Sequence, residues 1–466
     1  MDFDKDRRRK PFKIKVVQPI KWNTREERAK IMEAAGYCFG FVRAEDIPIN
    51  LTTDSGTSAM SMAQWSALMD ADEAYFNRKN FYDFEKAVKD FTGMKYVLPT
   101  HQGRAAEHIV CAVLIKHKGA VIPANAHFGT TEIHAMRYGA RPINLPIEEA
   151  FDTQKIHPFK GNIDINKFEE LISNKGAENI PFLNMVMTNN FMAGQPVSMA
   201  NLKEAAEIAH EHGIKVVIDA ARLPENAYFI KERESGYKNK SIREICREAC
   251  SYADVVHMSC KKCALVNMGG FIATNDKDLY MEMGALLVQF EGYLTYGGLT
   301  GRDLAAIAVG LNEGLDYDYL ADRIGQVEYF AEQLRRRNVP IYEPPGGHAV
   351  YIDAEKAYPH IPKEQYPAEA LGVEAYIEGG VAGLGHPSSL GWTRTDPETG
   401  KPVPCPFEFT RYAIPRRVYF DCQLEYAADV IAYAVEKGEK VKGFRIKWVP
   451  KNEFLRVFIH RLERIK

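Results

Sequence analysis

From about residue 95 the chain alternates two patterns: short apolar runs, and longer stretches whose apolar positions recur every three or four residues. The first pattern predicts buried strands over 96–99, 120–123, 141–145, 182–187, 215–218, 255–258 and 271–273. The second predicts helices between them, over 104–117, 130–138, 164–174, 199–212, 222–234 and 241–252. Strands separated by helices of these lengths predict an α/β fold with a mainly parallel sheet covered on both faces. Long helices follow over 301–314 and 317–337. The last third mixes strands (349–353, 408–414) and helices (369–378, 423–437) around a Gly/Pro-rich segment, 379–406, which predicts a smaller α+β domain. Upstream, 10–22 reads as an extended basic-apolar arm lying on another surface. Thr24 caps a helix running to Ala35, and Ser61 caps another. The expected division is an arm and part of the small domain over 1–60, a large domain over 61–318 and a C-terminal small domain over 319–466.

Composition narrows the class. With 466 residues and 46% hydrophobic side chains, the chain can bury a large core. Its 62 acidic and 60 basic side chains are interspersed, which leaves no electrostatic footprint for nucleic acid. No apolar run approaches membrane-spanning length and the first residues lack a signal-peptide core, so the expected location is the cytoplasm. Cys246-x3-Cys250 and Cys260-x2-Cys263 have spacings open to zinc or redox use. Buried structural thiols are the commoner use of such cysteines, and no metal is expected there.

Candidate chemistry sits at the strand ends, where ligands bind in open α/β sheets. The run 253–258 ends in Ser259-Cys260-Lys261-Lys262-Cys263, and Gly269-Gly270 opens the next run. A lysine in such a turn can form a Schiff base with an aldehyde cofactor, because burial favours its free amine. Strand 215–218 ends in Asp219-Ala220-Ala221-Arg222. A buried Asp needs a cation, supplied either by Arg222 or by a protonated pyridine nitrogen. Lys262 and Asp219 together point to pyridoxal phosphate on a fold-type I, aminotransferase-like scaffold. Gln102-Gly103-Arg104 opens a helix where an anion can bind. Asn189-Asn190 offers an amide to a ring oxygen or forms an ordinary turn. Phe128 can stack on a ring or fill core. One arginine of Arg416-Arg417 suits a carboxylate.

Several stretches carry a resemblance that covers nearly the whole chain: 51–57 (Leu-Thr-Thr-Asp-Ser-Gly-Thr), 72–75, 99–104 (Pro-Thr-His-Gln-Gly-Arg), 159–162, 194–198, 225–231, 295–299 (Thr-Tyr-Gly-Gly-Leu) and Ile414-Pro415-Arg416. In these the chain resembles the tyrosine phenol-lyase/tryptophanase family of β-eliminating lyases, with a flavour closer to the phenol-lyases. The resemblance implies Lys262 as the Schiff-base lysine with Lys261 as its electrostatic neighbour. It implies a phosphate cradle of Gln102, Gly103, Arg104 and Ser259. It sets Phe128 on the pyridine, Asp219 at the ring nitrogen, and Asn190 and Arg222 near the ring oxygen. Arg416 would hold the substrate carboxylate, with Thr53 and Ser55 nearby. Tyr75, from a partner subunit, would be a general acid. Glu73 and the carbonyls of Gly56 and Asn267 would ligate a monovalent cation such as K⁺, and the assembly would be a homotetramer built from dimers.

The departures concern substrate choice. Gly40 aligns with a family Phe, Gly129 with Thr or Asp, Val457 with Phe or His, and Cys263 with Asp. His386 aligns with the phenol-lyase arginine that meets the phenol hydroxyl. The side-chain pocket is therefore expected to be wider, with His386 a candidate base for a distant ring hydroxyl. The leading expectation is carbon–carbon cleavage of an aromatic L-amino acid, giving the arene, pyruvate and ammonia. A tryptophanase-like or carbon–sulfur β-lyase is the alternative. A binding protein without cofactor is the third class.

Overall fold

The structure is a computed structural model and describes residues 10–392, 394–395 and 401–466. The chain divides into two compact units. One comprises Ser55–Asp152 and His157–Ile324, and the other Met1–Asp54, Thr153–Ile156 and Gly325–Lys466. The divide falls inside the helix Tyr317–Arg336.

The first unit is built on a seven-stranded sheet: β1 (Tyr96–Thr100), β2 (Val121–Ala124), β3 (Arg141–Asn144), β4 (Phe182–Val186), β5 (Lys215–Asp219), β6 (Val255–Ser259) and β7 (Gly270–Thr274). Their spatial order is β1-β7-β6-β5-β4-β2-β3. All lie within a residue or two of the predicted runs. One strand departs from the parallel expectation: β7 is antiparallel to both its neighbours, β1 and β6. The short turn 260–269 sends the chain directly back, and a parallel return would have needed a longer crossover.

Side chains alternate across this sheet. Val216, Ile218, Val256 and Met258 join one apolar cluster, while Val217, Val255 and Ile272 join the other. Both faces are dry, which is why these strands read as continuous apolar runs. By the same alternation Asp219, His257 and Ser259 share the face of Val217 and Val255. The helix Gly103–Leu114, whose Ile109, Val110 and Val113 sit in the same cluster, packs against β6 on that face.

In the second unit the helices Pro367–Gly379 and Asp421–Glu436 pack together beside an antiparallel sheet of Ala349–Asp353, Phe409–Ala413 and Leu384–Gly385. Helix Arg25–Ala34 begins with a full capping box at Thr24, as the sequence predicts. Among the described residues, two long helices escaped the sequence reading. Lys79–Thr92 starts without a side-chain cap, so no start signal marks it. Lys277–Phe290 does have one, since Asp276 accepts from Asp278 N and Leu279 N. The hairpin Phe444–Trp448/Arg461–Arg464 was also missed, because a long excursion separates its strands. In the arm, Val16 and Val17 are exposed.

Candidate functional site

β5 and β6 run parallel, with Asp219 opposite His257, so Asp219 and Ser259 emerge at neighbouring carboxyl ends. Thr100 and Ser259 both pair with Gly270. That pairing draws the start of the Gly103–Leu114 helix onto the end of β6. A Cβ on Gly103 would lie 2.5 Å from Ser259 Cβ and 2.9 Å from its Cα. Glycine is therefore the residue that fits, and its lack of a side chain leaves a cradle at a helix N-terminus. That is the form of an anion site, with Arg104 in the first turn.

The turn after β6 is pinned on three sides. Cys260 N donates to Gly269 O at 3.0 Å, Gly269 N to His101 O at 2.8 Å, and Leu265 N to Lys262 O at 3.0 Å. The two lysines part company here. Lys261 runs along Gly56, with Cε 2.7 Å from where a Gly56 Cβ would stand, and its carbonyl accepts from Gly56 N. Burial first, and then the Arg104 charge, hold the Lys261 amine below its usual range. Lys262 Nζ lies 5.8 Å from the centroid of the Phe128 ring.

Phe128 owes its position to His127. Its neighbour's ring Nε2–H donates to Ile122 O at 2.9 Å, and Nδ1 takes a hydrogen from Asn184 Nδ2 at 3.3 Å. Burial pushes His127 down to about 4, so this imidazole is a neutral structural group. Of the Asn pair, Asn189 uses its amide on the turn. It donates to Ala126 O at 3.2 Å and accepts from Met192 N at 3.1 Å. Asn190, the other expected amide, is buried. Arg222 is buried as well, its N–H bonded to Met187 O at 3.2 Å. A lysine amine near an aromatic face, a buried Asp at a strand end and a glycine cradle in one unit fit a phosphorylated pyridine aldehyde.

Other expected residues have different surroundings. Tyr75 is 61% exposed and lies among Phe76, Tyr293 and Tyr296. A hydrogen bond between Tyr75 and Tyr296 raises the first hydroxyl and lowers the second. Tyr296 therefore joins the candidates for acid work. The run Thr295-Tyr296-Gly297-Gly298 already contained the signal for it. Glu73 accepts from Gly301 N at 2.9 Å and Arg302 N at 3.3 Å, capping a helix start. Asn267 Nδ2 donates to Gly56 O at 3.0 Å, which brings two of the three expected cation ligands together. Ser55 belongs to this unit and Thr53 to the other. The thiols of Cys246, Cys250, Cys260 and Cys263 are buried, and desolvation pushes Cys250 up to about 12.

In the second unit Arg416 is fully buried, with Nη1 3.0 Å from Asp54 Oδ2 and 3.1 Å from Asp54 O. His386 is half-buried, its ring 5.9 Å from Trp392. Its segment is held by two buried carboxyls. Ser388 Oγ donates to Glu369 at 2.8 Å, and Ser389 N donates to Glu408. Burial is the main cause that pushes each carboxyl up from 4.5 to about 7, and repulsion by Glu408 adds to Glu369. A raised acid stabilises the fold fully below its unfolded value and loses that contribution as pH rises through the folded value. The thermal midpoint should therefore fall between pH 5 and 8. In Glu369→Gln the fall should be shallower, by on the order of 1–3 kcal/mol across the window. Equal slopes in the two proteins would count against the assignment.

The wider pocket expected from Gly40 is corrected by the structure. A Cβ there would lie 2.2 Å from Phe458 O, and Cys38 Sγ approaches the same carbonyl at 3.4 Å. Backbone, not a void, takes the place of the missing ring. Val457, for its part, packs on Gly391, whose Cβ would lie 2.9 Å from Val457 Cβ. Gly40→Ala should therefore destabilise the protein by about 1–3 kcal/mol, seen as a lower denaturation midpoint. An unchanged midpoint would mean that the Phe458 segment yields freely.

Comparison with known proteins agrees with this geometry. A family model described as beta-eliminating lyase matches residues 50–430. Tyrosine phenol-lyase from Pasteurella multocida is 46% identical over 97% of this chain and 98% of its own length. A probable tryptophanase from Aeropyrum pernix is 44% identical over 98% of this chain and 97% of its own. Among solved structures, aspartate aminotransferase from Thermus thermophilus superimposes with a TM-score of 0.59. It is 15% identical and covers 89% of this chain and 97% of its own. That likeness shows the fold-type I architecture.

Proposed function

This chain belongs to the beta-eliminating lyase family, as a pyridoxal phosphate-dependent, tyrosine phenol-lyase-like enzyme, and from that premise we propose that it cleaves the side chain from an aromatic L-amino acid. The products are the arene, pyruvate and ammonia. The observation that carries the reading is one constellation at the carboxyl ends of central strands: Lys262 near Phe128, Asp219 at the neighbouring strand end, and Gly103 against Ser259.

Bound there, pyridoxal phosphate supplies an electron sink for bond breaking at the amino acid. The chain's own residues do the rest. Gln102, Gly103, Arg104 and Ser259 hold the phosphate. Phe128 covers the ring, Asp219 holds a proton at its nitrogen, and Asn190 and Arg222 address its oxygen. Lys262 carries the α-proton, and Lys261 keeps a second positive charge close by. Arg416, with Thr53 and Ser55, takes the substrate carboxylate. An aryl group cannot leave as a bare carbanion, so its ring carbon must first gain a proton, from Tyr75. His386 accepts the proton of a distant ring hydroxyl. Glu73, Gly56 and Asn267 offer the hard oxygens that a large monovalent cation prefers, so K⁺ is the expected ion. Tyr75 reaches its substrate from a partner in a homotetramer.

The deciding experiment measures pyruvate release from L-tyrosine, ring-substituted tyrosines, L-tryptophan and S-alkyl cysteines, in potassium and in sodium buffer. Tyrosine-type substrates should turn over, at least about tenfold faster with potassium. Pyruvate from S-alkyl cysteines alone would overturn the aromatic reading in favour of carbon–sulfur cleavage. Equal rates in the two buffers would remove the cation site.

A further inference from the structure

Two buried titratable residues behind Asp219 have no part in the scheme above. One ligand-type atom from each of Glu107, Asp219 and His257 lies within 4.8 Å of the other two. The residues are 5%, 6% and 2% exposed. Among the described residues this is the one cluster of three such groups. The fold makes it for plain reasons. Asp219 and His257 are register partners on β5 and β6, so their side chains leave the sheet on one face. The helix that begins at the Gly103 cradle covers that face, and Glu107 lies one turn along it. Thr130 Oγ1, two residues past Phe128, donates to Glu107.

Two carboxyls this close and out of water cannot both ionise without a compensating proton. Burial pushes the Glu107 carboxyl up, His257 pulls it down, and Asp219 pushes it up again. The imidazole belongs to the same cluster as both acids, and its Nδ1 is buried without a hydrogen-bond partner. An unsatisfied buried nitrogen is costly, and a carboxylate is the partner that relieves it best. A metal ion would also satisfy the trio. It would, however, claim the Asp219 carboxylate that a pyridinium nitrogen requires.

We propose that His257 and Glu107 are positioning residues for Asp219, in which the imidazole, oriented by Glu107, donates an N–H to the aspartate and keeps it anionic where the cofactor's ring nitrogen meets it. The inference rests on the lyase reading only for the identity of the cofactor. The cluster is then a line of alternating partners: hydroxyl, carboxyl, imidazole, carboxylate, pyridinium. Loss of the imidazole or of its orienting carboxyl leaves the Asp219 carboxylate without that N–H donor, and its hold on a pyridinium weakens. A ring with carbon in place of that nitrogen gains nothing from an anionic Asp219 and should be indifferent to the loss.

The test is the affinity of full-length apoenzyme for pyridoxal phosphate and for its 1-deaza analogue, in wild type, His257→Phe, His257→Gln and Glu107→Gln. His257→Phe and Glu107→Gln should bind pyridoxal phosphate at least about tenfold more weakly, with the deaza analogue within about threefold of wild type. His257→Gln keeps an N–H donor and should stay within about threefold for both. Equal weakening for the two cofactors would make the trio merely structural and overturn the proposal, as would no change for either. Stoichiometric zinc in the wild type, lost in the variants, would overturn it in favour of a metal site. None of these results touches the pyruvate assay, so failure here and failure of the lyase reading remain distinct.

Discussion

Lys262→Ala should lose at least about a thousandfold in turnover, and borohydride should no longer fix the cofactor to the chain. Lys261→Ala should keep the reducible linkage. The two lysines are adjacent in sequence but differ in what they face. Lys262 approaches the Phe128 ring, whereas Lys261 lies along Gly56 with its amine held down by burial and by Arg104. Lys261→Ala should therefore lower the rate through the local charge rather than through attachment. A linkage that survives Lys262→Ala and vanishes in Lys261→Ala would reverse the assignment. Mass spectrometry after reduction reads the difference directly.

Arg416→Leu should have the second-largest effect, on folding as well as on substrate. Arg416 and Asp54 are 0% and 2% exposed and sit 3.0 Å apart. Removing one member of a buried ion pair strands the other charge, at a cost of about 3–5 kcal/mol. Urea denaturation should show that loss. Asp54→Asn placed on top of Arg416→Leu should recover part of it, because no unpaired charge then remains buried. Asp54→Asn alone keeps the guanidinium, so KM for the amino acid should change less than in Arg416→Lys, where the bidentate fork is gone. A full-strength KM in Arg416→Lys would leave Arg416 a purely structural residue. A double variant no more stable than Arg416→Leu would show that the pair is not the source of the loss.

Much of the resemblance turns out to hold loops rather than chemistry. A Cβ on Gly161 would lie 2.5 Å from Gln195 O, so two of the quoted stretches meet backbone to backbone. Asn226 bridges Val197 in both directions, accepting from its N–H and donating to its carbonyl at 2.8 Å each. Glu225 pairs with Arg323 at 3.0 Å, both nearly fully buried. Such residues tie separate segments together, and sequence likeness cannot separate that role from chemistry. Glu107 and His257 show the converse. Each looked like an ordinary residue in an apolar element, one in helix 104–117 and the other in strand 255–258.

The sequence by itself determined the seven strands of the sheet, most of the helices between them and the family to which the chain belongs. Those are local properties: an apolar run is dry on both faces whatever surrounds it, and a Gly, Asp or Lys at a strand end is legible from one stretch. It also contained the cue for the antiparallel β7, in a connection too short for a crossover. What only the tertiary structure decided are relations between distant stretches. Gly40 reads as a lost ring until Phe458 O is found against it. Lys261 and Lys262 read alike until one meets Gly56 and the other Phe128. His257 becomes a partner of Asp219 only because β6 lies beside β5 in a register that turns both side chains to one face, and Glu107 reaches them only because its helix covers that face. Pattern fixes which way a side chain points relative to its own strand or helix; which group it then meets depends on packing between segments far apart in the chain, and no single stretch encodes that.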